Sequence, residues 1–527
     1  MKKYIIYFSL LITLAIGTTS CSDFLSAYSQ DMIVAKSVQD LDEILLGDVY
    51  LPSFQASSGP ASIYTAGFFN ILSDDVNTGG HGDETSKAWS TSLSTIFGYF
   101  AWQQRVSSNF DGSYFTSDNV TWDNLYSRIN IVNIILDEIQ DLPHEKENDY
   151  LDFLRVQGEA HFLRAYFYFT LANLYGDAYA PSTCESKLCV PLKLTPYVEH
   201  DKDKDTQFRR ATVYEVYNQI VKDLSIAEDF LTRSPQNNLH RLHRASIESV
   251  ELLLSRVYLY MQEWELAEAK ADLVIQSSNA YLSDISALTS GKPFLTRENP
   301  EVLFSQGANI LASNEFFTAR PGDYCVTREL FDLYDEKDAR ANCFFGHQVG
   351  SDSITLAQKY ERGDITSHIS DVFTLRVAEA YLNKAEACAM QQGKENIALS
   401  TLNKLRKNRI EGYTEQSYNK EELIVQIRDE RRKELCFEGH RWFDLRRYAA
   451  NELHPFSKAI IHVYNACGNN GVSYTQLFRL EENDLAYTFA LPESVIDFDN
   501  VPMEDNPREI RLPLKVSTDE EQKEEGK

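Results

Sequence analysis

The sequence predicts a mostly α-helical fold: tetratricopeptide-like helical hairpins stacked as an α–α superhelix, with a long loop-rich face and a few short strands. Three observations predict it. Apolar residues recur at three- and four-residue steps over long stretches, the period of a helix with one buried side. Two adjacent stretches carry the large and small residues of a tetratricopeptide pair in the expected order. Between the periodic stretches lie segments rich in Gly, Ser, Thr and Asn. In a chain with 43% apolar and 12% aromatic residues these are excursions over a packed scaffold rather than a disordered whole.

The helices follow in order. Trp122, Leu125, Ile129, Val132, Leu136 and Ile139 mark the first long one. Ala160, Leu163, Tyr166, Phe167, Thr170, Leu171 and Leu174 form a broader stripe that stops at Gly176, before a loop bearing Pro and Cys. A third runs from about Thr212 to Leu231. Leu254, Tyr258, Trp264 and Ala267 then give the tetratricopeptide spacing, with small Ala267 letting two helices approach closely. A looser second hairpin spans Phe373–Met390 and Asn396–Arg409. These stripes are core. Residues 74–121 and 279–372 have no sustained period, apart from short strand candidates such as Val302–Gln306, and 176–211 and 455–510 read as long connections.

The formal charge of −27 disfavours nucleic acid and anionic membrane surfaces as partners, while uncharged glycans suit it. At the N-terminus, Lys2 and Lys3 precede an apolar run from Ile5 to Ile16 and the small residues Gly17-Thr18-Thr19-Ser20. This is the three-part pattern of a secretory signal, too short to span a bilayer. Cys21 follows directly and resembles the lipid-modified cysteine of bacterial lipoproteins, although Thr18 stands where that pattern has Leu. The seven further cysteines are scattered and do not form a disulfide framework. Cys184 and Cys189 are close enough in sequence to pair in an oxidising setting, and Cys388 and Cys436 fall in helical patterns as buried thiols.

Several segments resemble one family, the SusD/RagB nutrient-uptake lipoproteins of Bacteroidota outer membranes. They are the start Cys21-Ser22-Asp23-Phe24-Leu25, the acidic pair in Ser73-Asp74-Asp75-Val76, Trp122-Asp123-Asn124-Leu125-Tyr126 and Gly158 through Phe167 with Leu174-Tyr175-Gly176-Asp177. Leu375 through Leu382 and Asn403-Lys404-Leu405-Arg406 follow, and the fullest match is Glu430 through Arg447. The resemblance implies a signal peptide at 1–20 and a single SusD-like unit at 21–527. Within that unit, 21–235 is the N-terminal part, 236–372 a tetratricopeptide hairpin plus a variable insert, 373–515 the C-terminal part and 516–527 an acidic tail. It implies a lipid-anchored protein of the outer membrane, facing the cell surface. Such a protein captures an oligosaccharide or polysaccharide, in some members a peptide, above a SusC-like TonB-dependent transporter.

The segment Arg428–Arg447 interleaves seven cations with five acids. Glu430, Glu434 and Glu438 share a helix face and repel unless arginines answer them, a task suited to planar forks such as Arg431 and Arg441. Alternating signs cancel the field that a phosphate site needs, so the segment reads as a structural ion-pair network.

A sugar site needs flat aromatic platforms flanked by hydrogen-bonding groups. Trp102, followed by Gln103, Gln104 and Arg105, is the leading platform, lying where the family commonly places a binding aromatic, and anchoring of the loop is the alternative. Tyr99, Trp89 and Asp75 join it as candidates, and Phe316, Arg320 and Tyr324 form a second cluster in which packing competes with binding. No enzymatic activity is expected. A glycosidase needs two carboxylates at a fixed separation, which sequence cannot establish, and there is no nucleophile elbow, zinc-protease motif or phosphate loop. No cofactor is expected. Asp201-Lys202-Asp203-Lys204-Asp205 imitates the start of a calcium loop, but Thr206 and Thr212 stand where Gly and Glu are needed.

Overall fold

In a computed structural model of the protein, the described residues are 35–50, 67–78, 96–108, 118, 120–144, 146–197, 207–234, 242–286, 293–306, 309, 311, 317, 324–347, 354–356, 359–361, 369–467 and 473–518. Cys21, Trp89, Phe316, Arg320, Asp201–Asp205 and the acidic tail beyond Thr518 lie outside them.

The helical reading holds. The first two long helices are Val120–Glu138 and Glu147–Tyr175, the latter ending at Gly176 as its stripe predicts. Val213–Arg233 begins with a reciprocal cap: Thr212 Oγ1 accepts from Glu215 N, and Glu215 accepts from Thr212 N. Thr212 is therefore a helix cap. The tetratricopeptide pair is Ile247–Met261 with Trp264–Gln276, and Ala267 is fully buried between them, its carbonyl accepting from Ser255 Oγ at 2.9 Å. The second hairpin is Val377–Met390 with Glu395–Lys407. It starts four residues later than the periodicity indicates, because Leu375–Arg376 is a strand paired with Val302–Phe304. Lys420–Leu435 and Arg441–Ala449 complete the long helices. The main apolar core runs from Ala35 to Val495, a second cluster joins the second hairpin to Lys420–Leu435 through Met390, Leu402 and Ile427, and a small third one holds Leu259, Ala267 and Ala387.

The strands are β1 (Val76–Thr78), β2 (Val302–Phe304), β3 (Tyr324–Val326), β4 (Gly346–His347), β5 (Ile354–Thr355), β6 (Leu375–Arg376), β7 (Ile460–Cys467), β8 (Ser473–Leu480) and β9 (Lys515–Thr518). β1, β3, β5 and β4 form one antiparallel sheet in that order, and β7, β8 and β9 another. The second sheet corrects the reading of 455–510 as a connection. Ile460, His462 and Tyr464 are buried and Ile461 is exposed, a two-residue alternation that marks a half-buried strand.

The Arg428–Arg447 segment is the charged heart of the scaffold. Its glutamates are answered mostly from elsewhere. Glu434 pairs with Arg340, Arg376 and Arg409, Glu438 with Arg376 and Lys359, and Glu430 with Arg340, Arg406 and Lys433, of which Arg406 donates a hydrogen bond to it. Arg431 instead pairs with Asp444, and Arg441 with Asp74. The expectation that Arg431 and Arg441 answer the glutamate ladder is corrected: both point away from it. Cys184 and Cys189 are separate buried thiols, and Cys388 and Cys436 are buried as read. Cys189 packs on Gly176, where a β-carbon would lie 2.5 Å from its sulfur.

Candidate ligand-binding rim

The acidic pair after the first helices fastens the loop-rich face to the scaffold. Arg441 donates twice to Asp74, at 2.8 Å each, Lys458 donates to it at 2.9 Å, and Arg432 Nε donates to Asp75 at 2.7 Å. Burial pushes the Asp74 carboxyl up, but Arg441, Arg432 and Lys458 together outweigh it and hold the group well below the usual carboxylate range. At Asp75 burial wins, with the neighbouring Asp74 charge adding to it against Arg432, and the carboxyl is raised. Asp75 is thus a buried structural ion, and its reading as a ligand contact is corrected.

From this anchor β1 runs beside β3 and β7. Thr78 lies opposite Tyr324. Thr78 Oγ1 donates to Val463 O and accepts from Asn465 N, while Asn77 Oδ1 accepts from Val463 N at 2.7 Å. Because β1 and β7 advance in the same sense, Thr78, Tyr324 and Asn465 sit at one end of the strands. In sequence, Thr78 is followed by 79–95 and Tyr324 is preceded by 318–323, both outside the described residues. The short helix Phe97–Phe100 backs this end, its rings packing on Tyr464, Phe478 and Tyr324.

Trp102 is only 1% exposed. Its ring stacks on His462 at 4.1 Å and its Nε1 donates to Leu72 O at 2.9 Å. Phe100 covers the same histidine at 4.2 Å. Burial pushes the His462 pKa down to about 4, so at neutral pH the ring carries one N–H and donates to one of the two carbonyls it faces, Phe100 O or Ser73 O. With its face and its N–H both taken, Trp102 anchors the loop; the platform reading is corrected. Tyr324 is likewise buried between Phe100 and Phe317. Tyr99 stacks on Phe68 at 3.8 Å. Gln103 donates to Ala101 O and Arg511 O, and Arg105 donates to Leu491 O and Asp505. These side chains tie the loop to the C-terminal segment rather than facing a ligand. Trp89, Phe316 and Arg320 lie outside the described residues.

The sequence reading passed over a cleft between 333–337 and 410–418, lined by Tyr413, Tyr418, Gln416 and Gln426. The signal was present as two tyrosines five apart in a polar loop, but no helical or strand period drew attention to it.

Two family models match the chain, one described as starch-binding associating with outer membrane over residues 70–259, the other as SusD family over 355–517. The chain belongs to the SusD/RagB family. The first match takes in the acidic pair, β1, the Trp102 loop and the helices through Leu259, and the second takes in the charged heart with the cations that hold the acidic pair, and the β7–β8–β9 sheet up to residue 517. The unmatched stretch between them holds β2, β3 and β4. SusD-like protein P38 of Formosa agariphila is 25% identical over 397 residues, covering 63% of this chain and 72% of that one. Surface glycan-binding protein A from Bacteroides fluxus shares the fold with a TM-score of 0.59 at 18% identity, covering 91% of this chain and all of that one. A laminarin-binding SusD-like protein does so with a TM-score of 0.57 at 20% identity, covering 90% and 100%. Among the described residues of this SusD-family chain, no helix is long and apolar enough to cross a membrane, and no group of three or more His, Cys, Asp or Glu is placed to hold a metal ion.

Proposed function

We propose that this protein is a lipid-anchored, cell-surface nutrient-binding protein that captures a glycan and lids a SusC-like TonB-dependent transporter. The observation that carries the reading is that two models of one family match an N-terminal and a C-terminal part of a scaffold whose fold is shared with glycan-binding proteins. The ligand is held where 79–95 and 318–323 join the paired strand ends Thr78 and Tyr324. Trp89 and Arg320 lie on those segments and are the candidate contacts, with Phe316 beside them in sequence. An aromatic face with a planar cation suits a sugar ring with its hydroxyl edge. The face grips without cleaving.

Gentle membrane extraction followed by purification should co-elute a large β-barrel, and Cys21 should carry acyl chains by mass spectrometry. A protein recovered alone from the soluble periplasm, without acyl chains, overturns the reading. Trp89→Ala should weaken glycan affinity by about 1–3 kcal/mol, as loss of a stacking anchor does, in isothermal titration. Incubation with polysaccharides should release no new reducing ends; their appearance would point to a glycosidase.

A further inference from the structure

The cleft between 333–337 and 410–418 has a volume of about 420 Å³, within the range of small-molecule sites of roughly 300–1,000 Å³. Its two walls are fixed to one another by the backbone. Glu411 N donates to Lys337 O at 2.9 Å, Ala339 N donates to Arg409 O at 3.0 Å, and Ile410 bridges Asp338. Gly412 turns the upper wall with φ +61°, a conformation that costs a glycine little. The site is therefore built before any ligand arrives.

The charges on its floor are already answered. Arg406 Nε donates to Glu430 at 2.7 Å, and Lys433 pairs with Asp338 at 3.2 Å. The remaining donors of Arg406 hold the lining side chains in place, Nη1 donating to Tyr418 Oη at 3.0 Å and Nη2 to Gln426 Oε1 at 2.9 Å. Tyr418 thus keeps its hydroxyl hydrogen, and Gln426 its amide NH2, for something else. Tyr413 donates to Asn403 Oδ1 at 2.7 Å, which fixes the second ring. Exposed Gln416 and Lys337 stand at the mouth with the carboxylate of Asp335.

Two fixed rings, planar amides and a neutralised floor do not suit an anion, which would meet Asp335 and Glu411 and find both floor cations engaged. They do not suit an extended peptide either: the walls are loop and helix with no open strand edge to extend, and Leu333 and Ile410 are the only aliphatic side chains in a lining otherwise made of polar, charged and tyrosine side chains and one glycine. They suit a neutral polyhydroxylated ring, whose C–H face packs on an aromatic plane while its hydroxyls exchange donors and acceptors with amides. We infer that this cleft is a second carbohydrate subsite, taking one or two neutral sugar units of a chain, separate in its residues from the rim. The inference rests on the carbohydrate-binding reading above and assigns that activity a second contact point.

The test is isothermal titration of the full-length mature protein with laminarihexaose, maltohexaose, cellohexaose, xylohexaose and mannohexaose, and with hexaalanine as the peptide control. The wild type should bind one hexasaccharide at two sites. Tyr413→Ala and Gln426→Ala should weaken one of these events about tenfold and leave the other, which Trp89→Ala removes. Tyr413→Phe should retain both. If Tyr413→Ala fails to fold by circular dichroism, Gln426→Ala and the occluding exposed-loop variant Thr414→Trp carry the test. A single event lost in Trp89→Ala and untouched by the cleft variants overturns the second subsite and leaves the rim standing. A single event lost only in the cleft variants overturns the rim as the site. Binding of hexaalanine at the cleft, or silence across all five glycans, overturns the subsite, and the silence overturns the carbohydrate reading with it.

Discussion

His462 shows how a single residue is given its role by neighbours distant in sequence. It lies between the rings of Phe100 and Trp102, and with Leu72 O it uses up everything a tryptophan could offer a sugar. Trp102→Ala should therefore act on the fold. We expect a loss of about 3–5 kcal/mol in urea unfolding, the usual cost of deleting a large buried ring. Glu251 makes the opposite kind of case. Burial, with Glu228 and Glu248 adding to it, raises its carboxyl from 4.5 to about 7. The folded state then binds more protons than the unfolded one between those values, so stability falls as pH rises from about 4.5 through 7. Glu251→Gln should be neutral at pH 4 and stabilising by about 1–2 kcal/mol at pH 8, a figure discounted for partial solvent screening. Equal melting shifts at both pH values would refute this.

At the scale of elements, contacts between helices override propensity. Gly158 sits in the middle of the helix Glu147–Tyr175, where Ala would ordinarily be better by about 1 kcal/mol. A β-carbon there would lie 2.7 Å from Leu231 Cγ on the neighbouring helix Val213–Arg233. Gly158→Ala should destabilise by about 1–3 kcal/mol through overpacking, visible as a lower melting temperature. The reciprocal case is Arg376, which precedes the helix Val377–Met390 and pairs with Glu301, Glu434 and Glu438, all fully buried. Truncating it to Ala leaves buried carboxylates short of a partner and should cost about 3–5 kcal/mol in urea unfolding. Replacement by a well-packed apolar chain such as Met should cost less only if the glutamates are neutralised with it, which a double variant with Glu438→Gln would reveal.

For the whole molecule, the buried ion pairs make stability depend on acid. Burial pushes the carboxyls of Glu434, Glu438 and Asp444 up, but the arginines around them prevail and hold all three below their ordinary range. Their contribution is complete above the unfolded carboxylate value of about 4 and is lost as pH falls through the lower folded values. Unfolding followed by far-ultraviolet circular dichroism should therefore begin below about pH 4, and Arg376→Ala should move the acid midpoint upward. An unchanged midpoint would mean that the charged heart is not what acid breaks.

The sequence by itself determined what depends on neighbours within one or two helical turns. The helices at 120–138 and 213–233, the stop at Gly176, the tetratricopeptide spacing around Ala267 and the structural nature of the Arg428–Arg447 segment were all legible there. The tertiary structure alone decided which rings face outward and which acid meets which base. Trp102 meets His462 some 360 positions along the chain, and Asp75 meets Arg432 after 357. A helix repeats every 3.6 residues and so writes its pattern locally, whereas burial and ion pairing are set wherever distant segments come to lie together. That is why the scaffold could be read from the chain, while the platform placed on Trp102 turned out to be a buried anchor.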